Sequence, residues 1–381
     1  MVSYGAGSRN EFGKDYPCGI AHFMEHMRFK GEANRTAKEL LQFVAFHGGS
    51  MNAWTSEDIA TYHITIPDEK IEEAFQAMND IVYPTFPQDE LVKEREVVCQ
   101  EIRAYDDDLD DNVYQEVMKW AFSNGLMYPV LGFEETVRNT TREDLVAFNK
   151  EFYTTEHMLV TLVARNNHEH LVEKYLGVPN DVLCFAPIAD KVEYGEGIVG
   201  VIKKEGVVQT NVSISYGSQE IHDLVRNKRA ACKVFNAFFG ANDDSKLFLR
   251  IREDLGLVYG IHSSWHDMMD GTLFTIETET EPDKKDDVLN AILNVVDGVV
   301  NQPPTEEELQ RAKNRLKSAL YGAFDTSGST ASMMIHEAFY GMNFDSAYMA
   351  EIDAVTADEV QEIAKKIFDG NRYIAIGMGT D

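Results

Sequence analysis

Internal repetition is the feature that most constrains this chain. Glu90-Leu91-Val92-Lys93-Glu94-Arg95 aligns with Glu308-Leu309-Gln310-Arg311-Ala312-Lys313 at an offset of 218 residues. Pro67-Asp68-Glu69-Lys70 matches Pro282-Asp283-Lys284-Lys285, and each opens an apolar-periodic helix. Thr141-Arg142-Glu143-Asp144-Leu145 matches Thr356-Ala357-Asp358-Glu359-Val360, and each precedes a helix and then a short apolar strand, at 159–165 and 373–379. Ser3-Tyr4-Gly5 and Ser215-Tyr216-Gly217 each close a strand-like segment. Segments 208–217 and 271–279 read as strands, and 284–300 and 306–324 as amphipathic helices. The expected class is α+β: a duplicated pair of homologous domains, each a mostly antiparallel sheet flanked by helices. The first domain is expected at 1–182 and the second at 198–381. A linker at 183–197 lies where Asn180, Pro187, Gly195 and Gly197 interrupt the periodic pattern.

Only the first copy carries metal-binding chemistry. His22-Phe23-Met24-Glu25-His26 reads H-x-x-E-H, the inverted form of a zinc-peptidase signature. Residues four apart share a helix face, so His22 and His26 can present two imidazoles to one metal. Glu25 borders that face and is placed to take a proton from a water that the metal activates. Zinc needs a further protein ligand, a His or a carboxylate from elsewhere in the chain. The helical stretch around Glu94-Arg95-Glu96-Val97-Val98-Cys99-Gln100-Glu101 offers two glutamates, Glu94 and Glu101, two turns apart on one face. An amphipathic helix with exposed polar residues would also explain either segment taken alone. Under the repeat offset Glu94 meets Ala312 and Glu101 meets Ala319, and the text opposite His22–His26 is apolar, around Phe235, Phe238 and Phe239. One half keeps the metal chemistry and the other has lost it.

These motifs together resemble the M16 family of zinc peptidases, the inverzincins, over nearly the whole chain. The resemblance implies that Glu101, 75 residues beyond His26 within an E-R-x-V-x-x-x-E pattern, completes the zinc site. It gives Glu94 the role of a supporting acid behind a ligand. Gly49-Ser50-Met51-Asn52-Ala53-Trp54-Thr55 is similar to a family segment, G-x-x-N-A-x-T, that pairs as an edge strand with extended substrate. Asn52 and Ala53 inherit that role, and backbone pairing would explain broad side-chain tolerance. Phe248 to Tyr259 resembles the family's L-R-E-x-x-G-L-x-Y text, implying that Arg252 and Tyr259 reach the substrate and the reacting carbonyl. Two departures stand out. Gly7-Ser8-Arg9 lies almost at the start of the chain, where the family has one or two earlier strands; a smaller first sheet, strands supplied by a partner, or a misassigned start would each account for it. Asp244-Ser245-Lys246-Leu247 replaces the family's S-S-R-L.

Composition bounds the rest. The 381 residues are 44% hydrophobic, which suits a packed protein of two or three domains. The formal charge of -29 argues against nucleic acid as a partner. It permits attraction of basic peptides into an acidic cavity, although solubility alone would account for it equally well. No apolar run is long enough for a membrane span, and no signal-peptide pattern opens the chain. Cys18, Cys99, Cys184 and Cys232 are scattered, as reduced and mostly buried thiols would be, and fit a cytoplasmic protein.

The expectation is a zinc endopeptidase for short or unfolded peptides, with one Zn2+ per chain. His22, His26 and Glu101 hold the metal, Glu25 is the general base, and Arg252 and Tyr259 assist at the carbonyl. The family's short members pair, so a homodimer, or a heterodimer with a related subunit, is expected. The rival reading is a non-catalytic peptide-binding or assembly subunit of a heteromeric peptidase.

Overall fold

The computed structural model describes residues 1–31, 34–177, 192–341 and 346–380. Cys184, Asn180, Pro187 and most of the expected linker lie outside them. By compactness the chain divides into two units. Met1–Ala104, Asn124–Lys191 and Ala323–Met342 form the first, and Tyr105–Ser123, Val192–Gly322 and Asn343–Asp381 the second.

The first unit holds a four-stranded antiparallel sheet of β1 (Val2–Tyr4), β2 (Ser50–Thr55), β3 (Ala60–Thr65) and β4 (Met158–Val160), in the order β2-β3-β1-β4. It is backed by α1 (Ile20–Met27), α2 (Ala37–Phe46), α3 (Ile71–Val82), most of α4 (Gln88–Asp107) and a helix at Arg142–Phe152. Tyr4, Phe23, Met24, Met27, Tyr62, Phe75, Phe148 and Phe152 meet in its core. β2 is an edge strand, with Asn52 opposite His63 and Ala53 opposite Tyr62.

The second unit holds five strands: β5 (Val199–Lys204), β6 (Thr210–Gly217), β7 (Ile261–Asp267), β8 (Thr272–Thr280) and β9 (Asn371–Gly379). Their order is β5-β9-β6-β8-β7, antiparallel except for the β5–β9 pair. All of β6 is buried, because helices cover both faces of the sheet. On one face lie Phe235, Phe239, Ile292, Ile363 and Ile367. On the other lies α5 (Leu109–Ala121), so close that a Cβ on Gly377 would sit 2.7 Å from Val113 Cγ2.

The α+β duplication read from the sequence is thus present as two sheets with their helices. The repeated Thr-x-x-acid segments are matching helix starts: Thr141 and Thr356 accept from the amides of Asp144 and Glu359, whose carboxylates accept in return. Compact units and sequence halves differ by two segments. α5, from the first half, packs on β9 and β6, and the helix Ser327–Tyr340, from the second half, sets Ile335 and Phe339 against Ile59 in the first unit.

Candidate metal centre

The H-x-x-E-H segment is helical. α1 begins after Gly19, whose φ of +90° only glycine adopts without strain. A Cβ there would lie 2.5 Å from Leu131 O, so the backbone also abuts its neighbour too closely for any side chain. Four residues apart on α1, the His22 and His26 rings stand with centroids 4.7 Å apart. α4 brings Glu94 and Glu101 against them. One donor atom from each of His22, His26 and Glu101 lies within 4.8 Å of the other two. His22 Nε2 is 3.8 Å from Glu101 Oε1, and His26 Nε2 is 3.3 Å from Glu101 Oε2.

Behind these three the support is specific. His26 Nδ1 shares a 2.8 Å hydrogen bond with Glu94 Oε1, and the other Glu94 oxygen pairs with Lys30 Nζ at 2.8 Å. Glu94 fixes the ring of His26, and Lys30 fixes Glu94. Glu25 Oε2 accepts a hydrogen bond from the Thr55 hydroxyl at the end of β2. His22 Nδ1 is buried and has no hydrogen-bond partner among the described residues.

The electrostatics follow from burial and these partners. Desolvation, reinforced by the nearby His26, pulls His22 down to about 4, so it is a neutral donor at pH 7. Burial opposes the charge on His26, yet the carboxylates of Glu101 and Glu94 prevail and raise it to about 9. The hydrogen bond from His26 holds Glu101 below the usual carboxylate range, against partial burial. Burial raises Glu25, and the Thr55 donor and His26 pull the other way. Two imidazole nitrogens and a carboxylate oxygen converge within 4.8 Å of one another, and a divalent cation held there would compete with protonation of His26. An N, N, O donor set suits zinc, as does the Glu94 carboxylate on the other ring nitrogen of His26, so the residues fit the metal.

The remaining candidates fall elsewhere. Asn52 and Ala53 lie on the outer strand β2, where Asn52 Oδ1 accepts from the Ala53 amide at 2.9 Å. Arg252 and Tyr259 belong to the second unit. Arg252 sits in a π-helical turn, Phe248–Asp254, with its Nε 3.3 Å from the Tyr259 carbonyl, and the Tyr259 side chain is 91% exposed. Sequence reasoning missed Lys30 and the tie between Thr55 and Glu25. The first is signalled only by standing one helical turn after His26, and the second by ending the Asn52-Ala53 strand.

Residues 1–132 match the family description "Insulinase (Peptidase family M16)", and residues 139–316 match "Peptidase M16 inactive domain". A Bacillus subtilis protein named an uncharacterised zinc protease, YmxG, is 27% identical over 98% of this chain and 91% of its own length. The fold is similar to a crystal structure titled as a peptidase M16 inactive domain from Pseudomonas fluorescens, with TM-score 0.88, 19% identity and coverage of 100% of this chain and 92% of that one. It is also similar to a protease from Helicobacter pylori, with TM-score 0.87, 20% identity and coverage of 99% and 92%. Among the described residues no helix is long and apolar enough to cross a membrane. The chain belongs to peptidase family M16, whose relatives here are named as zinc proteases.

Proposed function

We propose that this protein is a zinc-dependent endopeptidase acting on short or unfolded peptides. The observation that carries the reading is the convergence of His22 and His26 of α1 with Glu101 of α4, with Glu25 on α1 between the two histidines. His22, His26 and Glu101 would hold one zinc ion, which when bound supplies Lewis acidity to acidify water and polarise a carbonyl. Glu25 takes the proton from the attacking water and passes it to the leaving amine. Its partly desolvated carboxyl has the raised basicity such a shuttle needs. Glu94 keeps the His26 ring oriented, and Lys30 keeps Glu94 in place.

The outer strand β2, with Asn52 and Ala53, would pair with extended substrate backbone. Arg252 and Tyr259 would hold substrate and donate to the developing oxyanion. The net charge of -29 favours basic peptides. Pairing of chains, as a homodimer or with a related subunit, and a cytoplasmic location complete the proposal.

The test is cleavage of a mixed library of unfolded peptides with zinc present, by wild type and Glu25→Gln in parallel. Glu25→Gln should retain zinc and lose roughly 10²–10⁴-fold in turnover. Near-wild-type turnover in that variant removes Glu25 from the mechanism. Silence from a folded, zinc-loaded wild type favours the non-catalytic subunit instead.

A further inference from the structure

Glu11 is a buried acid outside the metal-binding set, only 6% exposed. It ends a short 3-10 turn, Ser8–Glu11, and its carboxylate reaches the start of α1. Oε2 accepts from the Gly19 amide at 2.7 Å, and Oε1 accepts from the Ala21 amide at 2.8 Å. Both belong to the first turn of the helix, where backbone donors have no partner within the helix and the helix dipole favours a negative charge. Ala21 is the residue immediately before His22.

The turn that carries Glu11 is itself clamped. Arg9 Nη1 pairs with Asp58 Oδ1 at 3.0 Å, with both side chains buried. The Ser8 and Arg9 amides donate to the Ser56 and Glu57 carbonyls, each at 3.1 Å. A Cβ on Gly7 would lie 2.3 Å from Ser56 O, so the two backbones are in direct contact. Thr55, the residue before this loop, holds Glu25. Segment 55–58 therefore grips both the candidate base and the turn that carries Glu11.

A buried negative charge is costly, and burial pushes this carboxyl up to about 8 despite its two amide donors and the Cys18 thiol, so the neutral acid prevails at pH 7 while its oxygens still accept from the amides. The position of the carboxyl group, on the two amides that flank Ile20 and lead into His22, has a specific consequence.

We propose that Glu11 is a positioning residue for the metal centre: its carboxyl group clamps the Gly19 and Ala21 amides and so sets the direction in which α1 presents His22 and His26 toward Glu101. The proposal rests on the zinc-site reading above and adds to it a residue that touches no ligand atom. Glu11→Gln is the informative change. It keeps the shape but replaces one acceptor oxygen with a donor, which then faces an amide N–H.

The experiment uses the full chain as wild type, Glu11→Gln and Glu11→Asp. Amide hydrogen exchange over residues 18–24 is read without metal, zinc affinity by competition with a chromophoric chelator, and kcat and KM on a cleaved peptide. The expected result for Glu11→Gln is faster exchange at 19–22, a zinc affinity weaker by roughly 10–100-fold, and a lowered kcat with KM within about twofold. Glu11→Asp, which keeps the carboxylate but shortens its reach, should fall between the two, and it carries the test if the Gln chain does not fold. Faster exchange with zinc affinity unchanged within about twofold would make Glu11 a merely structural cap and overturn the proposal. Unchanged exchange would overturn it at the clamp itself. A wild type that takes up no zinc would remove the metal-site reading and the coupling with it, a result the exchange measurement keeps separate from failure of the clamp.

Discussion

The Thr55 hydroxyl donates to Glu25 Oε2, so the last residue of the outer strand β2 holds the candidate general base. The strand proposed to receive substrate and the group proposed to move the proton are joined by one hydrogen bond. Burial raises the Glu25 carboxyl, and the Thr55 donor restrains that rise by stabilising the charged form. Thr55→Val removes the donor and keeps the shape. The acid limb of kcat/KM should then move to higher pH, by about 1 unit, the equivalent of a hydrogen bond to a charged group. Thr55→Ser should restore it. An unmoved limb in Thr55→Val would show that Glu25 is not the group that sets it.

His26 makes the metal-free protein sensitive to alkali. Its pKa is raised from 6.5 to about 9 in the folded state, so its contribution is fully present below pH 6.5 and is lost as pH rises through about 9. The Glu11 carboxyl, raised from 4.5 to about 8, acts in the same direction over its own, lower window. Calorimetry on metal-free protein should therefore show Tm falling between pH 6.5 and 9, with Glu94→Gln flattening the upper part by removing one negative charge from beside His26. Saturating zinc should reverse the trend, because metal binding strengthens as His26 loses its proton. A Tm that rises with pH without metal would contradict the assignment of His26 as the protonated member.

Arg28 is fully buried under the sheet of the first unit, and no carboxylate pairs with it among the described residues. Its guanidinium lies 4.2 Å from the Tyr153 ring centroid, 4.9 Å from Tyr4 and 5.4 Å from Tyr62. It donates to the carbonyls of Ile81 and Val82 and to the Asn149 side chain. Arg28→Ala opens a cavity between three rings and leaves those acceptors without a donor, so it should cost on the order of 3–5 kcal/mol in chemical denaturation. Arg28→Met, which refills the space, should cost less. Equal losses from the two changes would show that the hydrogen bonds outweigh the packing.

How far the sequence could be read depended on the reach of each interaction. His22 and His26 could be grouped because a helix places residues four apart on one face, whereas the two-turn spacing of Glu94 and Glu101 fits any charged helix and only the resemblance to the M16 pattern singled them out. The capping boxes at Thr141 and Thr356 were legible as a repeated local pattern. Lys30 on Glu94, Thr55 on Glu25 and Glu11 on the start of α1 were not, since each is made by side chains that only the folded chain brings together. α5 advertised an apolar face through Leu109, Val113 and Val117, but such a face does not name the sheet it will cover.

Arg252 and Tyr259 supply the last prediction, because they belong to the second unit while the metal-binding set belongs to the first. In the family's four-domain members the matching Arg/Tyr segment comes from the last quarter of the chain. In the proposed pair of chains, these residues would therefore serve the zinc site of the partner. Glu25→Gln and Arg252→Ala should each be inactive as pure proteins. Mixed under conditions that exchange subunits, they should regain activity, because one site of each mixed pair combines an intact Glu25 with an intact Arg252. Random pairing in an equal mixture places that combination in about half of the pairs, and recovery should approach a quarter of the wild-type rate per site. Exchange proven by mass labelling without recovery would mean that Arg252 serves the site of its own chain, or none.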